Sequence, residues 1–365
     1  MQRRRAVIHE WVEAIGGSEA VTREILAALP GSDFYALWIE PGAAEELASG
    51  QQTALRRLPR PLRRFAALAA TPYLWRHLET PTYDTVITST HALGHTARLK
   101  SCPDALYLSY VHSPARYVWS PELDERGDKK WVRPIARRVQ RLDLKNSEHV
   151  AAYACNSVEV QRRVRQYWNR DAVVIHPPVD VVFFGHAERR PPEDFLLSVG
   201  RLIPYKRHDF AIAVGEASGT PVVIIGTGPE EERLRELARQ ASVPVTIITT
   251  DESGTGSPTR EQIRDTMARA RALMFAAYED FGIVPVEAQA VGLPIVGIAH
   301  GGLLDSVIDG TTGVLVDSRD PNDFVAALAI ADQLNTSTIR EHAQQFSTQA
   351  FRTKFRDWVL AEESA

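Results

Sequence analysis

Cysteine is nearly absent from this chain. Its 365 residues include two, Cys102 and Cys155. Two cannot build a disulfide scaffold or a zinc ribbon, and the expectation is a pair of buried thiols in a reducing cytoplasm. Long hydrophobic runs are also missing. No stretch of about 18 apolar residues occurs, so no membrane-spanning helix is expected. The start, Met1-Gln-Arg-Arg-Arg-Ala-Val-Ile8, lacks the apolar core and small-residue cleavage site of a signal peptide. No G-x-G-x-x-G follows the first strand, which argues against a nicotinamide-dependent oxidoreductase. No repeat of solenoid period is present.

What is present looks globular. Apolar residues make up 44% and charged residues 24%, ordinary values for a globular protein. The length calls for two domains of roughly 150–200 residues. Residues 1–180 carry 25 Lys and Arg against 20 Asp and Glu, and residues 181–365 carry 17 against 26. The net charge of −4 thus divides into +5 and −9. An acidic second half argues against general nucleic-acid binding. A phosphorylated ligand there would need a few placed cations.

Strand then helix is the dominant rhythm. In the first half, strands are expected at residues 5–9, 34–39, 83–89, 105–111, 150–155 and 172–176. A proline-rich stretch, residues 177–192, reads as an interdomain linker. The second series of strands covers residues 194–199, 221–226, 243–249, 272–275, 293–298 and 313–316. Alternating strands and helices imply parallel sheets covered on both faces. The expected fold is α/β, with two Rossmann-like domains facing across a cleft. Ligands bind at the carboxyl ends of the strands in such sheets.

The most informative segment is Glu279-Asp-Phe-Gly-Ile-Val-Pro-Val-Glu287. It follows a buried apolar strand and leads into a helix expected to begin near Pro285. A helix start offers unpaired N–H groups and a positive dipole end to an anion. Two carboxylates suit a polyhydroxylated ligand. Acidic residues near a helix start also stabilise any helix, so spacing alone leaves both readings open. Gly200-Arg201 through Lys206 leaves the first strand of the second half, and its two cations can neutralise a pyrophosphate. Gly16-Gly17-Ser18-Glu19 follows the first strand. It suits either a close approach to a diphosphate or a tight turn, with Ser18 as helix cap. Gly226-Thr-Gly228 is either a nucleotide-approach turn or a simple β–α turn. His300-Gly301-Gly302 is a turn that can also aim N–H groups at phosphate. His112, at the exit of the strand over residues 105–111, can hydrogen-bond a sugar hydroxyl as a neutral imidazole. Residues 51–78 hold six arginines and no acid. They suit an anionic membrane or a phosphorylated acceptor, or form a helix packed on its own domain.

Taken in order, these segments resemble glycosyltransferase family 4, the retaining GT-B enzymes, over nearly the whole chain. Val111-His-Ser-Pro-Ala-Arg-Tyr-Val-Trp119 and Glu279 through Gln289 are similar to bacterial mannosyltransferases of O-antigen and capsule synthesis. The resemblance implies an acceptor-side domain over residues 1–180, with the last helix (347–365) crossing back onto it, and a donor-binding domain over 181–346. It implies that Arg201 and Lys206 hold the diphosphate of a nucleotide sugar, while Gly16, Gly17 and Gly226 lie near the donor. Glu279, helped by the N–H groups of Phe281, Gly282 and Ile283, would hold sugar hydroxyls. Glu287 would accept from the ribose, and His112 would lie near the reacting carbon. The catalytic set is then His112, Arg201, Lys206 and Glu279, with no metal and no cofactor beyond the nucleotide-sugar co-substrate. GDP-mannose is favoured over a UDP-sugar. The polar loop over residues 251–258 departs from the family where the base is usually read. The acceptor would be a glycan, a glycolipid or a small natural product. The alternative is a UDP-sugar-dependent glycosyltransferase acting on a small-molecule acceptor, and a nucleotide-sugar-binding protein without turnover is a further, less favoured reading. The expected location is the cytoplasm, with residues 51–78 available to the inner face of a membrane.

Overall fold

A computed structural model describes residues 3–13, 16–119 and 133–365; the side chains of residues 61, 64, 65, 68, 69, 117 and 133–136 are not described. The chain divides into two compact units. The first is Met1–Pro178 with Phe351–Ala365, and the second is Val179–Ala350.

The first unit holds seven parallel strands: β1 (Arg5–His9), β2 (Asp33–Ala36), β3 (Gln51–Gln52), β4 (Thr85–Thr90), β5 (Leu106–Val111), β6 (Ala152–Cys155) and β7 (Ala172–Val174). Their order across the sheet is β3-β2-β1-β4-β5-β6-β7. Both faces are apolar, as a parallel sheet between helices requires. Val7, Ile87 and Leu108 pack to one side, and Ala6, Ile8 and Val86 to the other. The edge strand β3 was not foreseen, because two glutamines carry no apolar signal.

The rest of the basic stretch forms a 3₁₀ turn, Ala54–Arg57, and the helix Arg60–Arg76. Leu55 and Trp75 face inward, whereas Leu62 and Tyr73 remain 59% and 64% exposed. Arg60 and Arg63 both pair with Glu40. The last helix, Thr348–Glu362, buries Phe351, Phe355, Trp358 and Val359, spaced to share one face. Phe351 and Phe355 meet Tyr110 of β5 edge-on. Glu363 accepts from Arg5 and Thr85, so the end of the chain is bound to the first and fourth strands.

The second unit holds β8 (Leu196–Val199), β9 (Val222–Ile225), β10 (Val245–Ile248), β11 (Ala272–Phe275), β12 (Ile295–Ile298) and β13 (Gly313–Val316), in the order β10-β9-β8-β11-β12-β13. Alternate residues again divide between two cores. Leu197, Leu273 and Phe275 enter one, and Leu196, Ala272 and Met274 the other. The stretch expected as a linker is largely ordered against this unit. It contains the helix Val181–Gly185, whose Asp180 cap accepts from the Phe183 N–H, and Val179, Val181 and Phe184 are buried. Two proline pairs suggested an exposed connection, but the apolar residues between them have a core to enter.

Each sheet reverses its winding at one place, between β1 and β4 in the first unit and between β8 and β11 in the second. The carboxyl ends of strands at such a reversal form the natural ligand crevice of an open α/β sheet. Among the described residues, no helix is long and apolar enough to cross a membrane.

Candidate donor site and the histidine cluster

In the second unit, the loop leaving β11 carries Glu279 and the loop leaving β8 carries Arg201 and Lys206. Lys206 Nζ donates to Glu279 Oε1, and their side chains are 13% and 18% exposed. Arg201 is exposed and makes no side-chain hydrogen bond or ion pair among the described residues. The basic loop is held from below by His208, which the sequence reading missed. His208 Nε2 donates to the Arg201 carbonyl at 3.1 Å, and its Nδ1 accepts from Ser198 Oγ at 2.8 Å. Burial pushes this imidazole down to about 4, so it stays neutral. A histidine two residues beyond Lys206 was the available signal.

The helix expected from Pro285 begins earlier, at Ile283 and runs to Val291, with Gly282 as its cap at φ +89°. That backbone conformation suits glycine. Pro285 has no N–H, so the donors of the first turn come from Gly282, Ile283 and Val284. Phe281 is buried and packs on Phe346, their ring centroids 5.5 Å apart. The Gly301-Gly302 turn buttresses this loop. The Gly302 N–H donates to the Glu279 carbonyl at 2.9 Å, and a Cβ on Gly302 would lie 2.2 Å from Phe281 Cα. Gly226 serves a similar purpose, because a Cβ there would lie 1.8 Å from the Gly200 carbonyl oxygen.

Glu287 is a partly buried residue whose carboxyl group is packed away from water. That desolvation raises its pKa to about 7, against the pull of Arg260 and Lys206 and with the push of Asp180. Arg260 and Asp180 pair at 2.9 Å, and the Arg260 guanidinium lies over the Phe183 ring at 4.3 Å. Neither residue was singled out in the sequence. They lie about 27 and 107 positions before Glu287, and only the fold brings them beside it.

In the first unit, Gly16 caps the helix Gly17–Ala28 with extended backbone and no side-chain cap. Ser18 lies inside the helix and donates to Glu19 Oε2 at 2.8 Å, so it is not the cap expected of it. Glu19 also accepts from the Glu13 N–H at 3.0 Å, and a Cβ on Gly16 would lie 2.0 Å from Glu19 Oε2. The chain's own carboxylate therefore occupies this helix start. The neighbouring Ala14 and Ile15 lie outside the described residues.

His112 follows β5, with Nε2 2.8 Å from Ser89 Oγ. Burial, then His9 and His91, hold its pKa well below the usual imidazole range. It is the neutral group expected, and it belongs to a cluster that was not. The His9 and His91 ring centroids lie 6.1 and 6.5 Å from His112. The cluster draws on three strand exits, His9 lying 82 residues before His91 and His91 21 before His112, a placement the sequence alone does not display.

Comparison with known proteins gives these features a context. A family described as "Glycosyltransferase Family 4" matches residues 15–183, and one described as "Glycosyl transferases group 1" matches residues 184–352. A D-inositol 3-phosphate glycosyltransferase of Nocardioides sp. is 34% identical over 289 residues, covering 70% of this chain and 58% of that protein. One of Mycobacterium sp. (strain KMS) is 31% identical over 276 residues, with the same coverages of 70% and 58%. The chain thus spans less than two thirds of these relatives. Among solved structures, the lipopolysaccharide outer core galactosyltransferase WaaB is similar, with TM-score 0.70 and 18% identity over 98% of this chain and 99% of that one. Anabaena Alr3699/HepE in complex with UDP gives TM-score 0.72 and 15% identity over 98% and 100%.

Proposed function

The chain belongs to glycosyltransferase family 4 and has the GT-B fold, and we propose that it moves a hexose from a nucleotide diphosphate sugar to an acceptor hydroxyl, with retention at the anomeric carbon. The observation that carries this reading is the Lys206–Glu279 pair beside the start of the helix Ile283–Val291. When a donor binds, its diphosphate takes Lys206 from Glu279, and the freed carboxylate accepts from sugar hydroxyls. Arg201, exposed on the same loop, adds a bidentate donor. Negative charge grows on the leaving diphosphate as the bond from the anomeric carbon to phosphate oxygen breaks. Lys206, Arg201 and the helix start are fixed groups aimed at that charge. The acceptor oxygen forms the new bond from the same face, and its proton passes to the departing phosphate. Fixed cations fill the place a divalent ion takes in other sugar transferases, so this step needs no metal.

Glu287 would receive the ribose hydroxyls. The favoured donor is GDP-mannose, which rests on the resemblance of residues 111–119 and 279–289 to mannosyltransferases. A UDP-sugar is the second reading, favoured by the fold's likeness to a protein solved with UDP. The names of the relatives make a polyol phosphate a further acceptor to try beside glycans, glycolipids and small natural products. Exposed Leu62 and Tyr73, in the same basic stretch as exposed Arg56 and Arg57, suit an anionic membrane surface, consistent with a cytoplasmic, peripheral enzyme. Thermal unfolding against GDP-mannose, GDP, UDP-glucose and UDP tests the donor, because a ligand that binds only the folded state raises the midpoint. Stabilisation by none of the four would overturn the reading.

A further inference from the structure

Outside the donor machinery, the first unit brings two imidazoles and a carboxylate together at the exits of β1 and β4. One potential ligand atom from each of His9, Glu10 and His91 lies within 4.8 Å of the other two. His91 Nδ1 is 3.3 Å from Glu10 Oε2. Two ligands each about 2.0–2.2 Å from a tetrahedral ion would stand about that far apart.

The surroundings orient these groups as a metal site would. His9 Nδ1 donates to the Ser89 carbonyl at 2.8 Å, which leaves its Nε2 unprotonated. That nitrogen is buried and has no hydrogen-bond partner, and the same holds for His91 Nδ1. A backbone carbonyl holding one ring nitrogen is the usual way a ligating histidine is fixed. Glu10 is locked in the same manner. Its Oε1 accepts from the Thr90 hydroxyl and from the Ala92 and Gly94 N–H groups, while Oε2 faces the histidines. The cluster thus sets a buried carboxylate beside a buried ring nitrogen that has no hydrogen-bond partner.

The geometry points to a divalent transition-metal site formed by a ring nitrogen of His9, Glu10 Oε2 and His91 Nδ1. Two nitrogens and one carboxylate select zinc, cobalt or nickel over magnesium or calcium. Three protein ligands leave a coordination position open. It would lie on the side of His91, the one partly exposed member, where Trp11 meets the His91 ring edge-on at 4.6 Å. The sequence led to an expectation of no metal in the sugar transfer, with fixed cations in that role, and His9, Glu10 and His91 were not considered as ligands. The site borders His112, whose ring centroid lies 6.1 Å from that of His9 and 6.5 Å from that of His91.

The test is titration of Zn²⁺ into the full, untagged, metal-stripped chain by calorimetry, with Mg²⁺ as control and Co²⁺ absorption as a report on the ligand set. One equivalent of Zn²⁺ should bind, with Mg²⁺ silent. His91→Ala should weaken binding by about tenfold or more. His91→Asn gives a second variant, and far-UV circular dichroism checks that each folds. Absence of saturable Zn²⁺ uptake at about 100 times a micromolar dissociation constant would overturn the proposal. So would one-to-one uptake unchanged in both folded variants.

Discussion

Lys206 donates its ammonium proton to Glu279 across the gap between the loops leaving β8 and β11, and both side chains are largely shielded from water. In the proposed mechanism, this pair keeps the cation meant for the diphosphate and the carboxylate meant for the sugar in place before any ligand arrives. Exchange of one partner for phosphate leaves neither charge buried alone, the costly alternative. Lys206→Ala should therefore reduce kcat/KM by on the order of 10²-fold or more. Steady-state kinetics with the best donor checks this, and a rate near that of the wild type would remove Lys206 from the mechanism.

His208 acts through the backbone that carries Arg201. Replacing it with alanine strands the Arg201 carbonyl and Ser198 Oγ, each of which it satisfies. The expected loss of stability is about 1–3 kcal/mol by urea unfolding. Nucleotide affinity should fall as well, since the loop is no longer pinned. Lost stability with an unchanged dissociation constant would make the residue purely architectural.

Glu287 links stability to pH with a definite sign. Its pKa is about 7 in the folded chain, above its ordinary value of 4.5. The folded state thus holds a proton that the unfolded state releases between those values, and stability falls as pH rises through that window. Glu287→Gln removes the effect. The variant should gain on the wild type by on the order of 2 kcal/mol between pH 4.5 and pH 8. Parallel urea curves at the two pH values measure it, and an equal difference at both would contradict the assignment.

Gly302 leaves no room for a side chain. A Cβ would lie 2.2 Å from Phe281 Cα and 2.3 Å from the Asp280 carbonyl oxygen, both backbone atoms that cannot step aside. Gly302→Ala should cost about 1–3 kcal/mol and displace the loop that carries Glu279. Weakened donor binding together with a lowered unfolding midpoint is the expected result.

The alternation of strands and helices was legible because both faces of each sheet are buried, which writes the strands as near-continuous apolar runs. All twelve strands read from such runs are present. The two-residue β3 carries no such run, and the Val181–Gly185 helix was obscured by its flanking prolines. At the candidate donor site, the positions of Arg201, Lys206, Glu279 and Glu287 at strand exits and a helix start were legible, because short loops and one helix hold them close in sequence to their strands. Arg260, Asp180 and His208 were not, since their importance lies in what the fold places against them. The same holds for His9, Glu10 and His91, which two separate chain segments would each have explained as ordinary strand-end or turn residues.

The central claim is that the second unit grips a nucleotide diphosphate through Lys206 and Arg201. Calorimetric titration of GDP and UDP into the wild type, Lys206→Ala and Arg201→Ala addresses it most directly. Saturable binding of one nucleotide, weakened about tenfold or more in each variant, is the predicted result. Equal affinity in all three proteins, or no binding to the wild type, would contradict it.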